Sequence, residues 1–288
     1  MTPRPTRVVD AHVHLWDPAR TDWYPYLSSW PAHGGGDASR MNRRFDLEAY
    51  QDETAGWRVD KIVNVAAATG RHSIEETLAL DAQAQSSGHP DAIVGGLPPT
   101  ETVAEAVELL DRQMAASRFR GVRPMGPLDR PVPDPGVLRA LHERNLLFEL
   151  MTHPDQLRAA AAALAGADGL VVVVEHTGWP RSVSDEERAL WRTGIDALAE
   201  LGPNVVCKLS GLAMPIASMR AEVLAPWLEY AIEAFGVDRC MFASNFPVDS
   251  MYGSFDDLFG AYSTVTAGLD AAARDKLFAA NAERIYRI

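Results

Sequence analysis

Two histidines one residue apart, His12 and His14, close the run Arg7-Val8-Val9-Asp10-Ala11-His12-Val13-His14. Val8 and Val9 make the run apolar and β-prone, so it reads as a strand. Alternate side chains of a strand share a face, which aims both imidazoles the same way. Two imidazoles projecting together from a strand end can grip a divalent metal, or bind and relay protons at a substrate. Taken alone they could equally be two hydrogen-bonded histidines beside a short strand, and the rest of the chain tips the balance toward chemistry.

The elements that must position them follow a repeated strand-then-helix order. Apolar, β-prone runs at 8–12, 61–66, 92–97, 119–123, 146–150, 170–175, 205–209 and 239–243 predict eight strands. Several are almost continuously apolar, as in Leu170-Val171-Val172-Val173-Val174, which suits parallel strands covered on both faces. Between them, amphipathic segments predict helices at 75–86, 102–115, 135–143, 156–164, 185–201, 220–235 and 255–267, with a terminal helix over 270–286. Ser73 before Glu76, and Ser184 before Glu187, have the spacing of capping boxes. Eight such units in 288 residues favour a (β/α)8 TIM barrel as a single domain over 1–288. An open doubly wound sheet is the alternative, but no GxGxxG turn follows any predicted strand. The first connection, residues 15–60, is enlarged and carries Trp16, Trp23, Tyr24, Tyr26, Trp30 and Trp57. In a barrel it would lie at the rim where active sites form, as a lid or as an aromatic plug. Tyr26 and Trp30 are its candidates for facing a ligand.

Polar residues recur at that same predicted rim. Strand one ends in His12 and His14, strand four in Arg123, and strand five carries Glu149 and runs on to His153. Strand six ends in Glu175 and His176 followed by Arg181, strand seven in Lys208 and Ser210, and strand eight in Asn245 and Asp249. Charged groups are rarely buried without a partner, so this convergence after apolar strands is the strongest sign of an active site. Arg123 could hold a substrate carboxylate bidentately or pair with Glu149. Lys208 could enter the barrel mouth or pair with a carboxylate. Glu149 and Glu175 could orient the imidazoles, and Asp10 could support the first strand.

Composition narrows the class. With 27 Lys and Arg against 39 Asp and Glu, the formal net charge is -12, which argues against nucleic acid as a partner. It leaves room for an anionic substrate held by local arginines. Cys207 and Cys240 fall in predicted buried strands and indicate no disulfide framework. Neither a signal segment nor a membrane span is visible, so a cytoplasmic protein with a small-molecule substrate is expected. A homo-oligomer is compatible with all of this.

Together these residues resemble the amidohydrolase superfamily, in particular the Amidohydrolase-2 group that contains sugar lactonases and the pyrone-dicarboxylate lactonase. The matching pieces are Val9-Asp10-Ala11-His12-Val13-His14-Leu15-Trp16-Asp17, Gly121-Val122-Arg123, His176-Thr177-Gly178-Trp179-Pro180 and Lys208-Leu209-Ser210-Gly211-Leu212. Met241-Phe242-Ala243-Ser244-Asn245-Phe246-Pro247-Val248 and Asn281-Ala282-Glu283-Arg284-Ile285-Tyr286 extend the match over nearly the whole chain. The resemblance implies a distorted barrel and a hydrolase, with or without a metal. One departure is chemical: family lactonases place an aspartate after strand eight where this chain has Asn245. An amide neither takes a proton from water nor ligates a metal well. Asp249 is the candidate substitute base, and Asn245 could donate to an oxyanion.

The resulting expectation is a hydrolase of a small, anionic lactone or related cyclic ester. His12, His14, His176 and Asn245 would polarise the carbonyl, and Asp249 or a histidine would be the base. Arg123, Arg181, Lys208, Tyr26 and Trp30 would bind substrate. His12, His14 and His176 would hold one divalent ion such as zinc if a metal is used. The alternatives are a metal-dependent decarboxylase of an aromatic acid, or a non-catalytic binder on the same scaffold.

Overall fold

The computed structural model describes residues 4–29 and 36–288, so Trp30 and His33 lie outside the described residues. Eight parallel strands form one sheet in sequence order: β1 Val8–Val13, β2 Val59–Val65, β3 Ala92–Leu97, β4 Phe119–Pro124, β5 Leu147–Leu150, β6 Val172–Val174, β7 Val205–Leu209 and β8 Cys240–Phe242. This is the predicted (β/α)8 barrel, and each expected strand is present.

A helix that the sequence reading did not predict, α1 Leu47–Thr54, lies within the enlarged first connection. The next follow the predicted amphipathic segments: α2 His72–Ser87, α3 Val103–Gln113, α4 Pro135–Glu143, α5 Pro154–Leu164 and α6 Asp185–Ala199. After them come a short α7 Ala213–Ile216, then α8 Ala221–Phe235 and α9 Phe255–Val265. The terminal helix is one run in three parts, α10 Ala271–Asp275, a π-turn Lys276–Ala280 and α11 Asn281–Tyr286. Among the described residues, no helix is long and apolar enough to cross a membrane.

Local chemistry explains most helix starts, with one correction. Ser184 caps α6 by accepting from the Glu187 N–H, but the Glu187 carboxylate turns to the Arg181 N–H instead of closing the box. Ser73 caps nothing: it lies inside α2, and its hydroxyl donates to the Gly70 carbonyl at 2.8 Å. Glu76 is instead drawn inward, where it accepts from Tyr24 OH and from the Ala67 and Ala68 N–H groups. The full capping box belongs to Ser254 and Asp257 at the start of α9.

Two layers of core follow from the period of two along each strand. Outward side chains meet the helices, and inward ones form a separate apolar cluster that includes Leu147, Val173, Val206 and Met241, with Tyr286 of α11 packed against it. Two residues further along three of those strands stand Glu149, Glu175 and Lys208, all buried. An apolar floor thus carries a polar layer one step nearer the C-terminal rim. Cys207 and Cys240 are free, buried and in register with each other on β7 and β8.

Closure between the first and last strands depends on residues just beyond β8. The Asn245 N–H donates to the His12 carbonyl at 2.9 Å and the His14 N–H to the Phe246 carbonyl at 2.8 Å. Asp10, fully buried, accepts from the Ser244 N–H at 2.8 Å, from Tyr50 OH at 2.8 Å and from the His12 N–H at 3.3 Å. Its expected supporting role is therefore a clamp between strand one, the segment after strand eight and α1. Asp10→Ala would leave these donors unpaired, each at a cost of about 1–3 kcal/mol. We expect it to lower the unfolding free energy by about 3 kcal/mol. Urea denaturation reads this as a fall in midpoint at unchanged slope, and a loss below about 1 kcal/mol would show that the clamp is not needed.

Candidate active site

His12 and His14 do project to one face: their Nε2 atoms lie 3.1 Å apart. Their tautomers follow from their other neighbours. His14 Nδ1 lies 2.8 Å from the Val65 carbonyl, which can only accept, so His14 carries its hydrogen there and presents an accepting Nε2. His12 Nε2 must then donate to His14, leaving His12 Nδ1 to accept from the Lys208 ammonium at 3.3 Å. Burial pushes both imidazoles well below the usual histidine range, aided by the Lys208 charge for His12 and the Arg123 charge for His14.

His176 is delivered by an unusual backbone. Residues His176, Thr177, Gly178 and Trp179 all have positive φ, at 53°, 55°, 73° and 38°. Such a left-handed run is costly for residues with a Cβ and persists only where the surroundings hold it. Trp191 does so by donating its indole N–H to the Thr177 carbonyl at 2.6 Å. The turn lays His176 against His12, with ring centres 4.6 Å apart, while its Nδ1 meets Ser210 Oγ at 3.0 Å. Gly211 has φ +67°, and a Cβ there would sit 2.4 Å from His176 Cγ, so this glycine makes room for the ring. Burial, then the Arg123 and Lys208 charges, lower the His176 pKa well below its ordinary value.

The charged residues pair across the barrel rather than along neighbouring strands. Lys208 Nζ contacts both carboxylate oxygens of Glu149, at 2.7 and 2.9 Å, and Tyr286 OH donates to the same carboxylate. Arg123, expected to choose between substrate and Glu149, instead meets Glu175 at 3.3 Å through Nη1, and its Nε has no partner among the described residues. Asn245, with φ 57°, donates from Nδ2 to Asp249 Oδ1 at 2.9 Å. Asp249 is fully buried, and burial raises its carboxyl to about 7.

His14, His176, Arg123 and Asn245 line one cavity of about 200 Å³ at the C-terminal rim. Tyr26 lines it too, with its hydroxyl donating to the Ala67 carbonyl at 2.8 Å. His12 lies beneath the cavity, reached through His14. Three expected site residues are placed elsewhere. Lys208 is held below by Glu149 and His12, Asp249 stands behind Asn245, and Arg181 is half exposed and ion-paired with Asp155 and Glu187. Sequence reasoning missed the cavity wall of Met41, Met125, Met151 and Met214, because a methionine after a strand carries no chemical signature.

Among the described residues, the side chains converging closely enough for a cation are His12, Glu175 and His176, whose ligand atoms all lie within 4.8 Å of one another. Glu175 thus joins as a donor where the sequence suggested only an orienting role. The 3.1 Å between His12 and His14 Nε2 also fits, since two nitrogens at about 2.0–2.1 Å from a tetrahedral ion stand about 3.3 Å apart. A neutral imidazole ligates through the nitrogen that carries no hydrogen. A divalent ion at this donor set would therefore replace the His12–His14 hydrogen bond, with the His12 hydrogen moved to Nδ1 and the Lys208 donation there given up.

Residues 9–288 match the sequence profile of the amidohydrolase family. The chain belongs to that family. An L-fucono-1,5-lactonase from Burkholderia ambifaria is 29% identical to this amidohydrolase, covering 97% of this chain and 95% of its own. A solved amidohydrolase from Burkholderia multivorans, crystallised with HEPES bound, is 26% identical with a TM-score of 0.81, over 98% of this chain and 100% of its own. A second crystal form of a Burkholderia multivorans amidohydrolase, 25% identical with the same TM-score and coverage, has zinc bound.

The raised Asp249 carboxyl has a sign that can be checked. Between about 4, its unfolded value, and about 7, the folded amidohydrolase holds a proton that the unfolded chain has released. Its contribution to stability therefore falls as pH rises through that window and is constant above it. Asp249→Asn should remove the fall, so that variant stability relative to wild type grows from about pH 4 to about pH 7 and then levels. Urea unfolding across pH measures this, and parallel wild-type and variant profiles would place the Asp249 carboxyl in the ordinary range.

Proposed function

We propose that this amidohydrolase hydrolyses a small lactone or related cyclic ester that carries a carboxylate. The observation that carries the reading is Arg123, which lines the cavity beside His14, His176 and Asn245. A guanidinium so placed can grip a carboxylate and hold the ring against the histidines. The name L-fucono-1,5-lactonase of the Burkholderia ambifaria relative supports ring opening as the reaction.

His176 is our assigned base. Its neutral ring lines the cavity, and Ser210 at Nδ1 can accept the hydrogen that leaves Nε2 free to take a proton from water. Glu175 Oε2, 3.6 Å from His176 Nε2, stabilises the imidazolium that results. Water adds to the ring carbonyl, and the second N–H of Asn245 Nδ2, the one not given to Asp249, donates to the developing oxyanion. The proton held by His176 then passes to the ring oxygen as the acyl–oxygen bond breaks. Lys208 acts through His12: its ammonium sets the His12 tautomer and thereby the orientation of His14. A divalent ion such as zinc, where one is used, would be held by His12, Glu175 and His176 and would supply carbonyl polarisation. His176 would then be a ligand, so its role as base belongs to the reaction run without an ion. Zinc in the Burkholderia multivorans relative supports that assignment. The decarboxylase alternative loses ground at Asn245, where its usual carboxylate is absent.

His176→Ala should lower kcat on a carboxylated lactone about 10²–10⁴-fold, the range for loss of a general base. Arg123→Gln should instead act mainly through KM for substrates with a carboxylate, and little for those without one. Full activity in a folded His176→Ala protein would refute the mechanism. Metal content by elemental analysis, with rates before and after chelation, separates an ion-assisted reaction from one run by these side chains alone.

A further inference from the structure

The lining of the active cavity is of two kinds. Its polar side chains include His14, His176, Arg123 and Asn245. Around them stand Met41, Met125, Met151 and Met214 with Trp16 and Trp179, supplied by the connections after β1, β4, β5, β6 and β7. Trp16 spends its indole N–H on the Arg43 carbonyl at 3.2 Å, outside the cavity. The Tyr26 hydroxyl donates to the Ala67 carbonyl. Thioether sulfur is a weak acceptor and donates nothing.

Such a wall suits some rings and penalises others. A polyhydroxylated sugar lactone would bury several hydroxyls against sulfur and carbon, and each one left unpaired weakens binding. An alkyl or aromatic substituent would gain from the same surface, and the unbranched methionines can adjust to its shape. Resting on the lactonase reading above, we infer that the substrate is a lactone bearing an apolar or aromatic substituent and one carboxylate, and not a polyhydroxylated aldonolactone. The chain thereby parts in substrate class from the relative named for a sugar lactone.

The test uses the whole chain and two matched sets of probes. One set is 3,4-dihydrocoumarin, its ring-carboxylated derivative and δ-octanolactone; the other is D-glucono-1,5-lactone and L-fucono-1,5-lactone. We expect kcat/KM at least about 100-fold higher on the apolar set, with the carboxylated dihydrocoumarin best. Equal or faster opening of the sugar lactones overturns the inference and leaves the lactonase reading standing. If neither set is opened, the lactonase reading fails, and calorimetric binding of the product acids still judges the wall. Binding of 3-(2-hydroxyphenyl)propanoate but not gluconate supports an apolar-ring ligand, whereas gluconate binding as well or better overturns it. Met125→Gln with Met214→Gln should cut kcat/KM on dihydrocoumarin about tenfold, the scale of changes in apolar pocket contacts, without a matching loss on the sugar lactones. Equal losses on both sets would mean that the wall only shapes the fold.

Discussion

The buried Lys208 ammonium organises the interior. Lys208 has no solvent exposure, and its ammonium is satisfied by the Glu149 carboxylate and by His12 Nδ1. Breaking such a pair by removing one partner leaves the other charge uncompensated in the barrel, which makes its geometry strongly determined. From it a chain of directed hydrogen bonds runs upward: Lys208 to His12, His12 to His14, His14 to the Val65 carbonyl. A second link runs downward, because Tyr286 of α11 donates to Glu149. The C-terminal helix that plugs the barrel floor is thus tied, through one ion pair, to the imidazoles that line the cavity.

The same economy appears at the seam where the barrel closes. Strand β8 is only three residues long, so the ladder to β1 is completed by Asn245 and Phe246, which bond to the His12 carbonyl and the His14 N–H. Residues that close the fold are therefore the neighbours, or the very members, of the site. Asn245 serves both ends, with its backbone in the seam and its side chain in the cavity. Its left-handed φ of 57° and the left-handed run at His176 are strained features of the kind that packed surroundings hold in place at functional sites.

How much of this was legible in the sequence can be argued residue by residue. Strand positions were readable because parallel strands buried on both faces are apolar throughout, and that signal is local. The cluster of polar residues after the strands was readable for the same reason, since position along a strand determines the rim. Partner choice was not. Arg123 lies on β4 and pairs with Glu175 beyond β6, while Lys208 on β7 pairs with Glu149 on β5. Inward side chains meet across the barrel, and one-dimensional order does not rank those distances. Ser73 failed as a cap because Glu76, its presumed partner, gains more by holding the Ala67 and Ala68 N–H groups and Tyr24 inside. Asp249 and Arg181 looked alike as charged residues near strand ends, yet one is fully buried behind Asn245 and the other lies out among Asp155 and Glu187.

The two cations near the histidines also explain why these imidazoles stay neutral. Lys208 and Arg123 repel a third positive charge, and burial removes the water that would otherwise stabilise it. Glu149 and Glu175 balance those cations but are occupied by them, so neither is a free base toward the cavity. With Asn245 at the rim and Asp249 behind it, no carboxylate among the described residues lines the cavity. In the proposed reaction an anionic substrate would meet the neutral imidazoles of His14 and His176 and the Arg123 guanidinium, with no carboxylate in the cavity lining. On that proposal the carboxylate would sit at Arg123 and proton transfer would fall to histidine, whose neutral form the surrounding charges maintain.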